Sequence, residues 1–303
     1  MQKLLIVGCG DIARRILPRL RGHYRVFALL REPSQRAFWR EHGASPVLAD
    51  LDQPDSLQRI AGLADIILYL APPAAADKCR RVTGDGRDTR TSALLAALAR
   101  GWSLPQRIVY ISTTGVYGDC DGDLIDETHA LRPATARACR RVDAERQLRA
   151  FGRRGVVVSI LRAPGIYAAD RLPIERLRKG IPALYAPDDV YTNHIHADDL
   201  AMLTCAAVRY GRNNRTYNAT DDSQIKMGDY FDLVADGFGL PRAPRLSRRE
   251  AEERLSPLQF SFMSESRRLL NQRIKQELRV KLRYARVEDG VAAARIERKN
   301  WCS

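Results

Sequence analysis

The sequence predicts an α/β fold: a doubly wound parallel sheet (Rossmann) with a smaller, mostly helical C-terminal lobe. Three observations carry this. Through the first half of the chain, apolar strand-like runs alternate with amphipathic segments, and a parallel sheet needs a long return path, usually a helix, between successive strands. The first run enters the turn of "LLIVGCGDIARRIL" (4–17), a strand-to-helix junction with the GxGxxA spacing of a dinucleotide cradle. Beyond residue 165 the alternation lapses.

Taken in order, strands are predicted over 3–8, 25–30, 45–50, 65–71, 107–113 and 156–163, each a short apolar run suited to a strand buried on both faces. Helices are predicted between them over 11–20, 34–42, 55–63, 88–102 and 136–152. "RTYNATDD" (215–222) supplies one more strand, and 226–303 reads as mostly helical with charged faces. This places a nucleotide-binding core in 1–165, completed by about 190–222, and a mainly substrate-binding lobe in 166–303 over the carboxyl ends of the strands.

With 303 residues, 45% of them hydrophobic, the chain can bury a large core, which excludes a disordered protein. The formal charge of +14 raises nucleic acid as a partner. Its positive residues, however, are scattered through helical segments with acids interleaved and no aromatic stacking pattern, so a solvated arginine-rich surface is the better reading. No apolar run approaches a membrane span, and the chain opens directly on a strand; a soluble, cytoplasmic protein is expected. The six cysteines form neither CxxC pairs nor a zinc-like cluster and read as free thiols, with no metal site.

In the opening turn, Gly8 permits the tight bend, Gly10 lets the backbone approach a diphosphate, and Ala13 lets the helix pack closely on the strand. The first helical N–H groups, at Asp11, Ile12 and Ala13, would then point at the phosphates. At the end of the second strand, "ALLREPSQR" has no carboxylate before Arg31. Arg31, helped by Ser34 or Arg36, suits a 2′-phosphate, so NADP is favoured over NAD; alternatively Arg31 is a solvent-facing residue at a helix entry. Asp50 is placed to accept from the adenine amino group, or else to cap the next helix. Leu51, with Ala71 and Pro72 at the end of the fourth strand, completes the expected cofactor wall.

Residues 108–133, "IVYISTTGVYGDCDGDLIDETHALRP", resemble the extended short-chain dehydrogenase/reductases, the NAD-dependent epimerase/dehydratase family. "ILRAPGIYAADRLPIERLRKG" (160–180), "NHIHADDLA" (193–201) and "YNATDDSQIKMGDYFDLVADGFGLP" (217–241) extend the likeness over nearly the whole chain. The glycine spacing looks closest to an atypical branch. The resemblance implies hydride transfer at a nicotinamide by a Ser/Thr, Tyr, Lys set, with the first member at Thr113 and Pro164 and Gly165 beside the nicotinamide. Counting back from Glu145 places Arg141 where the lysine should stand and Arg137 where the tyrosine should, and residues 131–150 contain neither type.

A guanidinium stays protonated at working pH and accepts no hydrogen bond, so Arg137 cannot replace a tyrosine as acid or base. Arg141 can still offer positive charge to a ribose or phosphate. Tyr117 is the candidate proton donor, though a packing role is the plainer reading for it and for Tyr167. His194 and His196 are read as facing opposite sides of an extended piece, against a shared metal; His196 is expected to position the helix start, with Asp198 or Asp199 as its cap. The function expected is therefore an NAD(P)-binding oxidoreductase or epimerase-like protein for a small polar or sugar-nucleotide-like substrate. The alternative is a catalytically inactive NAD(P)-binding regulator or sensor. The resemblance also implies a homodimer through paired helices, against which the arginine-rich 136–152 segment argues.

Overall fold

A computed structural model describes residues 1–74, 86–261 and 263–301. Strands β1 (Lys3–Val7), β2 (Arg25–Leu30), β3 (Ser45–Leu48), β4 (Ile66–Tyr69) and β5 (Arg107–Thr113) follow the predicted runs, each within a few residues. β6 (Leu124–Ile125) lies apart, and β7 (Val157–Ala163) returns to the main sheet. β8 (Gly165–Tyr167), β9 (Ala183–Leu184), β10 (Tyr191–Thr192) and β11 (His194–His196) are short pieces outside it, while β12 (Arg215–Asn218) forms its edge. The seven-stranded order is β12-β7-β5-β4-β1-β2-β3, parallel throughout.

Helices α1 (Asp11–Leu20), α2 (Arg36–Glu41), α3 (Thr89–Ala99), α4 (Ala136–Gly152), α5 (Ile174–Arg178), α6 (Ala197–Tyr210) and α7 (Met227–Phe238) connect and cover the strands. Strand residues alternate between two cores. Leu4 and Ile6 pack with Ile16, Leu17, Leu200 and Leu203 of α1 and α6; Leu5 and Val7 pack with Leu94, Leu98 and Leu148 of α3 and α4. Each such side chain contributes roughly 1.5–3 kcal/mol by leaving water, which is why the strands read as unbroken apolar runs.

Two predicted helices are shorter or tighter than expected. Pro54–Ile60 winds as a 3₁₀ helix, because the Ser56 hydroxyl bonds the carbonyls of Asp50 and Gln53 and so competes with α-helical pairing. Pro33–Gln35 likewise makes a 3₁₀ turn before α2, with proline at its first position. The third strand stops at Leu48, since Asp50 turns the chain by accepting from the Asp52 N–H.

A further apolar cluster joins Tyr167, Ile174 and Leu177 to Phe231 and Val234 of α7 and to Val287 and Val291. The region from 226 onward is less uniformly helical than its pattern suggested: Arg245–Leu246 pairs with β9 and Arg268–Leu269 with β6. Ile274, Leu278 and Leu282 then return to the core beneath the main sheet.

Candidate functional site

The strand order reverses between β1 and β4, the topological switch point at which open α/β sheets bind ligands. Gly8 follows β1 with φ +103°, and a Cβ there would stand 2.4 Å from the Ala71 nitrogen after β4. Only glycine fits. At Gly10 the situation is the opposite, for an added Cβ would meet nothing within 4 Å. Gly10 caps α1 with no side-chain hydrogen bond, and the first bond of that helix runs from Arg14 N–H to the Gly10 carbonyl. The N–H groups of Asp11, Ile12 and Ala13 therefore have no partner among the described residues. An open space, a close-packed turn and unpaired donors at the positive end of a helix fit an anionic diphosphate.

Asp11 is a carboxylate in that first turn, and its charge is balanced by Arg15 at 2.9 Å and Arg171 at 3.4 Å. Ala13 is fully buried, as close helix-to-strand packing requires.

Beside Gly8 a cavity of about 220 Å³ is lined by Arg31, Glu32, Asp50, Leu51, Ala71 and Arg90, among others. Arg31 and Glu32 are each about half exposed, 54% by side chain, and paired at 3.2 Å. Asp50 Oδ1 accepts from the Asp52 N–H at 3.0 Å, so Asp50 serves a turn as well as the cavity wall. Arg90 pairs with Asp52 and donates to the Pro72 carbonyl at 3.0 Å.

A second cavity, about 480 Å³, lies over the carboxyl ends of β5 and β7. Thr113, Thr114 and Gly115 line it from β5, and Pro164 and Gly165 from the segment after β7. Thr113 Oγ1 accepts from the Gly115 N–H at 3.3 Å, capping the short turn Thr114–Tyr117. Arg137 and Arg141, one turn apart on α4, supply another wall. Arg141 Nη1 donates to the Tyr110 hydroxyl at 2.9 Å and to the Ile111 carbonyl at 2.8 Å. Tyr191, Glu265 and Arg267 face them from the C-terminal half.

Tyr117 does not line this cavity. It is fully buried, its hydroxyl donates to Asn218 Oδ1 at 2.7 Å, and the Arg162 guanidinium sits 4.8 Å from its ring centre. Burial pushes its phenol up to about 12, which suits a fixed donor rather than a group that releases its proton near neutral pH. Beneath the cavity, Glu145 of α4 accepts from Ser112 Oγ at 2.6 Å and pairs with Arg162 at 2.7 Å. Both partners of that pair are almost wholly buried.

The two histidines correct an expectation. His194 and His196 are two residues apart in β11, so both project to one side. Their rings pack edge-on against Tyr167, with centres 6.1 Å and 5.2 Å away. Among the described residues no three metal-ligating side chains come together. Burial lowers His194 to about 3 and His196 to about 4. His196 is itself the cap of α6, its Nδ1 accepting from the Asp198 N–H at 3.2 Å. Asp198 and Asp199, expected as caps, lie in the first turn instead: Asp198 accepts from Arg15 at 2.6 Å, and Asp199 from the N–H groups of Arg283 and Tyr284.

Tyr191 and Arg267 were not singled out from the sequence. Tyr191 sits just before the quoted "NHIHADDLA", and Arg267 lies in "SESRRLL" with no motif around it; the pairing of Arg268–Leu269 with β6, with the Ser266 carbonyl accepting from Cys120 and Gly122, carries that segment to the cleft.

This switch-point groove is that of a dinucleotide-type α/β protein. Residues 4–220 match the NAD dependent epimerase/dehydratase family, and the chain belongs to that family. It is similar to a functionally unknown conserved protein from Silicibacter pomeroyi DSS, 30% identical, with 99% of this chain and 100% of that one covered and a TM-score of 0.81. A UDP-glucose 4-epimerase from Thermotoga maritima, solved with UDP-glucose, is 18% identical over 100% of both chains, with a TM-score of 0.77. A double mutant of a dTDP-glucose 4,6-dehydratase from Streptomyces venezuelae, with NAD bound, is 20% identical over 99% of this chain and 98% of that one, with a TM-score of 0.76. At those identities the last two establish the shared fold alone. No curated protein matches the chain. No described helix is long and apolar enough to cross a membrane.

Proposed function

We propose that the protein binds NADP, or NAD, across the groove and acts as an oxidoreductase or epimerase-like enzyme on a small polar substrate. The observation that carries this is the contrast at the opening turn: no room behind Gly8, open room before Gly10, and unpaired N–H groups at Asp11, Ile12 and Ala13 just after them. Those groups would hold the diphosphate, the Arg31 cavity the adenosine half, and the cavity bounded by Pro164 and Gly165 the nicotinamide half. Arg31 is the donor for a 2′-phosphate, and the neighbouring Glu32 is the group that would favour a free ribose hydroxyl.

When bound, a nicotinamide supplies or takes up hydride. Thr113 would orient the substrate oxygen by hydrogen bonding. Proton exchange is assigned to Tyr191 rather than to Tyr117, since Tyr191 is the phenol among the described cavity residues. Arg268 and Lys226 stand 4.9 Å and 5.9 Å from its ring centre, so two donors flank the phenol from the C-terminal half. Arg141 would offer charge toward the ribose. UDP-glucose in one relative's structure supports a polar, oxygen-rich substrate, and pairing of two copies through α4 is the dimer to be sought.

A second reading, a cofactor-dependent sensor without turnover, is favoured by one observation: arginines at 137 and 141 in place of an acid/base pair. Incubation of purified protein with NADPH and a panel of carbonyl compounds separates the two. The enzyme reading predicts NADPH consumption that is lost in Thr113→Val and Tyr191→Phe. Tight NADPH binding without consumption across the panel would establish the sensor instead.

A further inference from the structure

The cavity over β5 and β7 carries an unusual charge balance. Arg137, Arg141 and Arg267 all line it, against one carboxylate among its described lining residues, Glu265. Glu265 is already paired with Arg267 at 2.8 Å. Two guanidiniums one turn apart on the same helix face repel each other, and an anion held between or before them would offset that repulsion. The donors are also incompletely used. Arg141 spends one nitrogen on Tyr110 and Ile111, and its Nε and Nη2 make no hydrogen bond to the described residues. Arg267 donates from Nη1 to the Gly118 carbonyl and to Glu265, which leaves its Nη2 without a hydrogen bond to the described residues.

Thr113 and Thr114 line the adjoining wall. Planar forks converging with hydroxyls in a partly enclosed space are the recognition chemistry of a carboxylate or phosphate, held bidentate and strengthened by removal from water. We infer that Arg137 and Arg267, with Arg141 standing between the ribose and the cleft, form an oxyanion subsite, and that the substrate carries a carboxylate or phosphate beside its reacting carbon. This rests on the cofactor reading above, since it places that anion next to the nicotinamide half of the groove. The arginines thereby do not substitute for an acid/base pair; they bind the substrate, and proton exchange falls to a group elsewhere in the cavity.

Calorimetric titration of the full chain saturated with NADPH tests this, using oxalate, inorganic phosphate and neutral glucose as probes. Oxalate or phosphate is expected to bind, more weakly as salt is raised; preference for oxalate assigns a carboxylate, preference for phosphate a phosphate. Arg137→Gln and Arg267→Gln should each weaken the bound anion by about tenfold or more, the loss of a charged bidentate contact. NADPH affinity should stay within about threefold in both, a difference well under that expected from losing a charged contact. Arg137→Lys, which keeps the charge but not the fork, should retain part of the affinity. Arg137 is exposed on α4, so its variants report without the risk of unfolding that Arg267→Gln carries. Binding of glucose in preference to both anions would overturn the proposal, as would anion affinity unchanged in Arg137→Gln. A collapse of NADPH affinity in the same variants would assign the cluster to the cofactor and overturn it too. Failure of wild-type protein to bind NADPH would defeat the cofactor reading instead; the anion titration without NADPH, read through the same variants, would still decide this one.

Discussion

The two ends of the groove are built differently. Around Gly8 and Gly10 the working parts are main-chain: a positive φ, a strand contact that admits no Cβ, and helix N–H groups without partners. Around Thr113 and α4 they are side chains, and those have arginines where the family resemblance expects a tyrosine and a lysine. A main-chain site depends on side-chain identity only where glycine is required, here at Gly8 and Gly10, because elsewhere almost any residue supplies the same N–H; sites made of side chains can be re-specified by two substitutions. On the proposed function, the scaffold keeps a main-chain cradle for the cofactor, and the proposed oxyanion subsite occupies its other end.

The sharpest way to break that comparison is at the glycines. Gly8→Val should lose both stability and cofactor binding, since strain at positive φ alone costs about 1–3 kcal/mol before the contact with Ala71 is counted. Gly10→Val should leave the melting temperature nearly unchanged, because a Cβ there meets nothing, yet weaken NADPH by about tenfold or more through blocked approach to the diphosphate. Equal melting losses in the two variants would contradict the assignment of open space to the ligand.

Beneath the chemistry end, Glu145→Ala should destabilise by about 3–5 kcal/mol, measured by urea unfolding, as it strands the buried Arg162 charge. A loss below about 1 kcal/mol, the range of exposed pairs, would mean the pair is solvated. Next, Tyr117→Phe should cost about 1–2 kcal/mol of stability by leaving Asn218 without its donor, with turnover retained, whereas Tyr191→Phe should lower kcat with little change in melting. The reverse pattern would return the proton role to Tyr117. Smallest is Arg31→Ala, which should weaken NADPH by about tenfold and NADH much less, one charged hydrogen bond's worth. Equal losses for both would remove Arg31 from a 2′-phosphate site.

The two ends also differed in how far they could be read from sequence. The sheet, the turn at Gly8 and Gly10 and the placement of Arg31, Asp50 and Ala71 around one cavity follow from periodicity and spacing, because local pattern determines them. The 3₁₀ winding of Pro54–Ile60 was hidden in an ordinary helical pattern, decided by one serine hydroxyl bonding backwards. At the far cavity, Tyr191 and Arg267 come from segments that meet β5 and α4 only through long-range pairing, which spacing does not report. Tyr117 was favoured for its place in a motif, yet burial and Asn218 had already engaged its hydroxyl. His194 and His196 share one side of β11, against the sequence expectation, because residues two apart in a strand have the same parity.

The most direct test is isothermal titration calorimetry of the full chain with NADP, NADPH, NAD and NADH. Saturable, one-to-one binding of at least one of them, abolished in Gly8→Val and weakened in Gly10→Val, is the result this account predicts. No heat with any of the four, together with an unmoved melting temperature in their presence, would contradict it.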